Sequence, residues 1–544
     1  MVTLFLYPLS NFLLLFSLIF CFSCQNPEQK YPKEKILRIN LTREPTTLDP
    51  RKAGDLTSCL VDFILFEGLC KQSPQGGIEL SGCSFIEISE DKKTYTFIIE
   101  TSLWSNGEPV TAYDYERSWK TVLDPSFPAL NAHLFYPILN AEEAKKGLVP
   151  LDEIGIIAKN EKILCVTLKE PTPHFLQLLT FCTFFPAHQS MNGLRLSSNQ
   201  KQDLISNGPF QLSLWKHDDE IYVKKNPYYQ KKDSIDLDGI KMLMVGDESS
   251  ALHLYEKGEL DIIGAPTSHL PADALVSISR KKQFHNLPAA GTMLCIFNTE
   301  TFPFSNVNMR KAFALAIHRK EITSHVTQLG EQIATGLIPP ILRKHDRSFF
   351  VDGDDNMAKS FLEKGMQELG ITLHDLQGIT YSYSAAETNH LIAQTLQQQW
   401  LKTLGIKVKL EHSHSKVLLD SFARGNFQLG QFFLFAQYFD PMNFLERFKH
   451  KTIQKNFPHW ESQSFIQLLE KSTYQKNPHQ RALILEEAEE EFMNSMPAAP
   501  IFYSSSACLI KPYLRNVTFT PMGSIYFEKI AIDLDKKYNK NKKG

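Results

Sequence analysis

The stretch HLIAQTLQQQWLKTLGIKVKLEH, residues 390–412, joins two periodicities through one glycine. Ile392, Leu396, Trp400 and Leu404 recur every fourth position, which puts their apolar side chains on one face of an α-helix. Gly405 follows, where a residue that tolerates the left-handed conformation ends a helix. Ile406, Val408 and Leu410 then alternate with lysines, the two-residue period of a half-buried strand. A helix leading directly into a strand is an α/β unit, and it sets the fold class expected of the chain.

Working outward, the same two periods alternate along most of the sequence. NMRKAFALAIHRKEI carries Met309, Ala312, Phe313, Ala316 and Ile317 at helical spacing. ILRINLT alternates Leu37, Ile39 and Leu41 with polar residues, and KTYTFIIE does so with Tyr95, Phe97 and Ile99. Leu164, Val166 and Leu168 mark a further strand. Between them, Asn106-Gly107 reads as a turn and Thr111 as the N-cap of a helix whose third position is Asp114, an acidic capping box. No internal repeat is visible.

At 544 residues the chain exceeds one ordinary domain, so two or more lobes are expected. A net charge of −2 with scattered Lys and Arg lacks the basic footprint of a nucleic-acid binder. Residues 1–24, MVTLFLYPLSNFLLLFSLIFCFSC, form an uncharged apolar leader, short for a membrane span and suited to a signal peptide. Its Ser-Cys end resembles a lipobox, which makes Cys24 the expected lipid-attachment residue and places the rest outside the cytoplasm. Two features depart from that pattern: no Lys or Arg precedes the apolar core, and Cys21 stands where Leu is commonest. An uncleaved anchor is the alternative.

Beyond the leader stand Cys59, Cys70, Cys83, Cys165, Cys182, Cys295 and Cys508, an odd number without CxxC spacing. Buried thiols are the plainer reading. Signatures of hydrolytic, metal or nucleotide chemistry are missing: HExxH, G-x-S-x-G, a P-loop or GxGxxG. His412 and His414 read as a solvated strand end, EEAEEEF (486–492) as the wet face of a helix, and DKKYNKNKKG as a solvated tail. No enzyme activity, metal or cofactor is expected.

Several stretches in order share the pattern of one family. They are EPTTLDP (44–50), LFEGL (65–69), TYTFIIETSLWSNGEPVTAYDYERSW (94–119), SNGPFQLSLWKHDDEIYVKKNPYY (206–229) and GELDI (258–262). NVNMRKAFALAIHRKEI (306–322), FDPMNFL (439–445) and AEEEFMNSMPAAPIFY (488–503) complete them. Together they resemble the extracytoplasmic solute-binding proteins of peptide ABC transporters, family 5. Most of these residues are fold markers, so the resemblance does not itself locate a site.

The resemblance implies an α/β, two-lobed periplasmic-binding-protein fold (type II, cluster C-like) with an extra domain in the first lobe and a central ligand cleft. It implies a main domain of residues 36–70, 205–290 and 506–535, an accessory domain of 71–204, a second lobe of 291–505, a tether over 25–35 and a basic tail over 536–544. The implied partners are a peptide or peptide-like ligand, held by its main chain much as a sheet accepts a strand, and the permease subunits of a transporter. A lipid anchor, a monomer and no nucleic acid complete the expectation. Nickel chelates, haem, oligosaccharides and opine-like compounds also occur as ligands in the family.

Matched residue by residue, the resemblance implies strand-like ligand contacts from Leu56, Thr57, Ser58 and Cys59, and from Leu434, Phe435, Ala436 and Gln437, with Tyr438 and Asp440 beside them. The second set lies in FLFAQYFDPMNFL (433–445), which reads as cleft wall, with an enclosed hollow expected beside Ala436 and Gln437. Peptide-binding relatives have an aspartate for the ligand ammonium where this chain has Gln437, and some have an arginine for the carboxylate where it has Gln431. An amide cannot neutralise a buried cation. Either other groups hold the ligand's ends, or those ends stay in solvent, or the ligand is a blocked or cross-linked peptide such as a cell-wall fragment. Asp440 and His390 are the candidate substitutes.

Overall fold

A computed structural model describes residues 34–192, 204–453 and 455–538; the leader, Cys24 and residues 539–544 lie outside them. Alternating apolar residues build the strands that organise the molecule. The first lobe contributes β1 (Ile36–Asn40), helix α1 (Leu56–Leu65), β2 (Cys83–Ile88), β3 (Thr94–Ile99), helix α2 (Ala112–Leu123), β4 (Ile156–Asn160) and β5 (Ile163–Thr167). It continues with β6 (Phe210–Lys216), β7 (Glu220–Lys225), β8 (Gly239–Leu243) and β9 (Ile262–Gly264). Then come β10 (Phe284–Phe297), helix α3 (Val307–Leu315), β11 (Thr380–Ser384), helix α4 (Glu387–Leu404), β12 (Lys409–Ser413) and β13 (Leu429–Phe435). Helices α5 (Gln463–Tyr474) and α6 (Pro478–Ser495) precede β14 (Ala498–Ile510).

One ten-stranded sheet runs in the order β12-β11-β13-β10-β14-β9-β1-β8-β7-β6. It mixes parallel pairs, such as β1 with β8 and β11 with β12, with antiparallel ones. Strands β10 and β14 belong to both halves. Phe284–Pro288 pair with Ser505–Leu509, and Thr292–Ile296 pair with Ala498–Tyr503, with a register shift between Pro288 and Thr292. Pro288 lacks the N–H that a regular ladder needs, which suits it to that break. Two large apolar cores lie on either side of it. One runs from Leu37 to Ile262, takes in Tyr438 and returns at Cys508; the other runs from Ala290 to Phe502. Two lobes joined by two strands follow.

A four-stranded antiparallel sheet, β2-β3-β5-β4, is separate from the large one. Tyr95, Phe97 and Ile99 point inward, as their alternation requires. Helix α2 packs there and starts with the expected capping box, Thr111 N–H donating to Asp114 Oδ2 at 2.8 Å. The Trp119 indole of α2 donates to the Phe184 carbonyl at 2.8 Å.

In the second lobe, α4 buries Ile392, Leu396, Trp400 and Leu404 and ends at Gly405 with φ 72°. The strand expected from Ile406 begins later, at Lys409, although Ile406 and Val408 are fully buried. The wet-face reading of residues 486–492 needs a correction. Glu489 is 1% exposed, and Arg343 donates to its carboxylate at 2.5 Å. The helix turns that acid inward, while Glu487 stays exposed and Glu486, Glu490 and Glu491 are partly buried. Lys537, read as part of a solvated tail, lies 3.9 Å from buried Asp261. All seven described cysteines are buried and free, with Cys59 and Cys182 sulfurs 3.2 Å apart.

Candidate functional site

Strand β13 runs its last residues, Leu434 and Phe435, toward the junction of the lobes, and Ala436 N–H donates to the Ala290 carbonyl at 2.9 Å on β10. The chain then leaves the sheet as the loop 436–441. Gln437 N–H donates to Asn443 Oδ1 at 3.0 Å, and Asp440 accepts from Met442 N–H at 2.9 Å, so the loop is braced by the helical turn that follows it.

This loop crosses to the first lobe. Gln437 Nε2 donates to Asn131 Oδ1 at 3.0 Å, and Gln437 Oε1 faces His133 Nε2 at 3.3 Å. Asn131 is itself oriented, because its Nδ2 donates to the Ala53 carbonyl at 2.8 Å. Tyr438 is 1% exposed and belongs to the first lobe's core, where its ring stacks on His174 with centroids 5.0 Å apart. Phe439 packs against Gly76, whose φ of +86° suits a residue without a side chain.

Three expected site residues make structural contacts. The Tyr438 hydroxyl donates to Glu446 Oε1 at 2.6 Å and does not face the interlobe gap. Asp440 receives Arg481 Nη1 at 2.7 Å and Nη2 at 2.8 Å, a two-pronged ion pair that leaves no charge over for a ligand. Burial would raise the Asp440 carboxyl, but hydrogen bonds from Arg481 and its charge hold it below its usual value. Burial pushes neighbouring His174 down to about 4 and Glu446 up to about 7. Ser58 is wholly buried, and its hydroxyl donates to Asp55 at 2.7 Å.

The extended conformation expected of Leu56–Cys59 is also corrected. These residues form the first turn of α1, capped by Asp55, which accepts from Ser58 N–H at 3.0 Å. A capping aspartate directly before an apolar run favours a helix over a strand edge. Cys59 is buried against Cys182, while Leu56 is 70% exposed. Leu130, 71% exposed, lies over Gly54, two residues before it. Leu56, Leu130 and half-exposed Phe435 are therefore large apolar side chains left uncovered, which a closed domain core would have covered.

His390 and Gln431 are both engaged locally. The Tyr383 hydroxyl lies 2.6 Å from His390 Nδ1, and Gln431 Nε2 donates to Asn389 Oδ1 at 2.8 Å. A cavity of about 940 Å³ lies between the lobes, walled by Tyr95, Pro173 and Gln177 on one side and by α5 and α6 on the other. It borders Phe439, Asp440 and Pro441, not Ala436 or Gln437.

Sequence reasoning missed the groups that surround Gln437. Arg447 Nη2 donates to the Phe435 carbonyl at 3.0 Å and reaches Gln437 Oε1 at 3.5 Å, and its Nε reaches the Asn443 carbonyl at 3.3 Å. His133 is held down at about 4 by desolvation and then by the charge of Lys455. Lys455 and Arg447 are lowered too, chiefly by desolvation. His133 and Lys455 both keep accessible surface. No motif could have found them, since His133 and Gln437 are 304 positions apart.

Comparison with known proteins agrees with this architecture. A family model described as bacterial extracellular solute-binding proteins, family 5 Middle, matches residues 78–456. The oligopeptide-binding protein OppA of Bacillus subtilis is 37% identical over 499 residues, covering 90% of this chain and 91% of that protein. The solved Escherichia coli murein tripeptide binding protein MppA superposes with a TM-score of 0.79 at 25% identity, over 92% of this chain and 99% of the other. Listeria monocytogenes OppA bound to peptide gives 0.75 at 26% identity, with the same two coverages.

Proposed function

From the premise that the chain belongs to the family 5 bacterial extracellular solute-binding proteins, we propose that it captures peptides between its lobes and delivers them to an ABC-transporter permease. The observation that carries this reading is the loop 436–441, which leaves a sheet strand of one lobe and closes on Asn131, His133 and His174 of the other. A gap spanned in this way can close on a solute by rotation about β10 and β14, the two strands that run from lobe to lobe among the described residues. Main-chain groups and uncovered apolar side chains near the junction suit an extended peptide without selecting one sequence.

On this reading ligand is bound and released without covalent change, so no catalytic residue is assigned. Leu56, Thr57, Phe435, Ala436 and Gln437 are the ligand-facing residues retained from the sequence. Residues 36–70, 205–290 and 506–535 make the main domain, 71–204 the accessory domain and 291–505 the second lobe. A core starting at Ala290 and ending at Phe502 supports the latter limits. Cys24 serves as the lipid-attachment site of a monomer held outside the cytoplasm, supported by the Ser-Cys end of the apolar leader.

The test is native mass spectrometry of the purified chain for co-purifying solute, followed by calorimetry with short peptides. A co-purified peptide and micromolar or tighter binding are expected. Cleavage of those peptides, or capture of a metal chelate or sugar in their place, would refute the assignment.

A further inference from the structure

We propose that the interlobe gap contains a carboxylate site, in which Arg447, Lys455 and His133 converge beside Gln437 to take an anionic group of the ligand. The inference rests on the peptide-binding reading and adds the charge that the ligand must present there.

Three segments supply the groups: His133 from the first lobe, Arg447 from the turn after the crossing loop, and Lys455 from the loop beyond it. Among the described residues none of the three has a carboxylate within ion-pair distance. Arg447 Nη1 and Lys455 Nζ have no hydrogen-bond partner there either. The Arg447 donors that are used go to neutral oxygens, the Phe435, Asn443 and Gln437 carbonyls, at 3.0, 3.3 and 3.5 Å. The two longer contacts exceed a charge-assisted hydrogen bond by about half an ångström.

Gln437 is held in the orientation that suits an anion site. The Ala53 carbonyl fixes the Asn131 amide, and Asn131 Oδ1 takes Gln437 Nε2, so the Gln437 oxygen is what Arg447 and His133 meet. That oxygen offers partial negative charge where the surroundings call for a full one. Desolvation and Lys455 hold His133 neutral, down to about 4, and both cations are lowered chiefly by desolvation. An arriving carboxylate reverses the sign of that local potential.

Of the nearby acids, Glu446 bears on Arg447 through space without forming an ion pair with it. Glu446, next to Arg447 in the chain, takes the Tyr438 hydroxyl at 2.6 Å and is pushed up to about 7 by burial. Asp440 is committed to Arg481. A planar guanidinium with an unused edge favours a carboxylate, which it can meet with two hydrogen bonds.

A peptide offers that carboxylate from its C-terminus or from an acidic side chain, and the experiment separates the two. Calorimetry on the full chain uses Ala-Glu-Ala, its C-terminal amide, its N-acetyl form and Ala-Gln-Ala. Replacing the docking carboxylate by an amide should weaken binding on the order of thirtyfold or more. Loss with the C-terminal amide assigns the terminus, and loss with Ala-Gln-Ala assigns the side chain. Lys455→Met and Arg447→Met should no longer distinguish acid from amide. Weakening by acetylation alone, or equal affinity for all four, overturns the site.

A second measurement does not require a bound peptide. The His133 resonance, assigned by its loss in His133→Gln, should titrate at higher pH once millimolar succinate is added. A rise on adding succinate without binding of any peptide would refute the peptide reading and keep the carboxylate site. A His133 titration unmoved by succinate and by every peptide overturns the site.

Discussion

Asp440 and Gln437 stand three residues apart on one loop and meet opposite electrostatic situations. At Asp440 a carboxylate and the Arg481 guanidinium satisfy each other through two hydrogen bonds at the wall of the interlobe cavity. At Gln437 an amide meets the Arg447 guanidinium and the His133 ring, and the charge of Lys455 also acts on His133. The first arrangement locks the loop against the second lobe's helix α6. The second leaves a charge requirement open at the junction of the lobes. A pair completed within the fold holds structure, whereas the uncompleted one beside a gap is the basis of the proposed carboxylate site.

The largest effect expected from disturbing this contrast is on the completed side. Arg481→Met strands the Asp440 carboxylate beneath Tyr438 and should cost about 3–5 kcal/mol in chemical denaturation. Replacing both partners, as Asp440→Leu with Arg481→Met, should recover most of that loss. Equal damage from the single and the double variant would show that packing, not charge, holds the loop.

Glu446 gives a smaller, pH-dependent effect. Burial raises its carboxyl from 4.5 in the unfolded chain to about 7 in the fold. A raised folded value means that the fold binds the proton more tightly. Its contribution to stability is therefore full below pH 4.5 and is lost as pH rises through about 7. Glu446→Gln should abolish this part of the slope and gain roughly 1–3 kcal/mol at pH 8 relative to the parent. Melting curves from pH 4 to pH 8 check it, and parallel profiles for the two proteins would refute it.

The smallest effect lies on the incomplete side. Gln437→Asp supplies the missing anion in cis, so the ligand-free protein should gain roughly 0.5–1 kcal/mol. The same variant should bind acidic peptides more weakly and move the His133 titration upward. Read from the sequence alone, an aspartate at 437 would instead tighten peptides with a free N-terminus and leave acetylated ones unchanged. Calorimetry with both peptide classes therefore decides between an ammonium and a carboxylate as the neighbour of this residue.

Local rules carried the reading of the fold a long way. The fourfold spacing from Ile392 to Leu404, ended by Gly405, appears as one helix with its glycine in the left-handed region. Thr111 and Asp114 form their capping box, and Tyr95, Phe97 and Ile99 face one core. Each depends on neighbours within a few positions. The reading failed where distant chain decided the environment. Glu489 looked like one more acid on a wet face until Arg343, 146 positions away, drew it inward. Leu56–Cys59 were expected to be extended because family matching transfers positions and not local caps, and Asp55 made them a helix.

The sequence by itself determined the α/β alternation and the family pattern, because periodicity, capping and motif order are properties of nearby residues. The tertiary structure decided which charges in that stretch are already answered and which are not. Arg481 reaches Asp440 across 41 positions, and His133 reaches Gln437 across 304, and no spacing rule encodes either. Electrostatic energy depends on distance in space and on the water excluded between the groups, and both exist only once the lobes have folded and met.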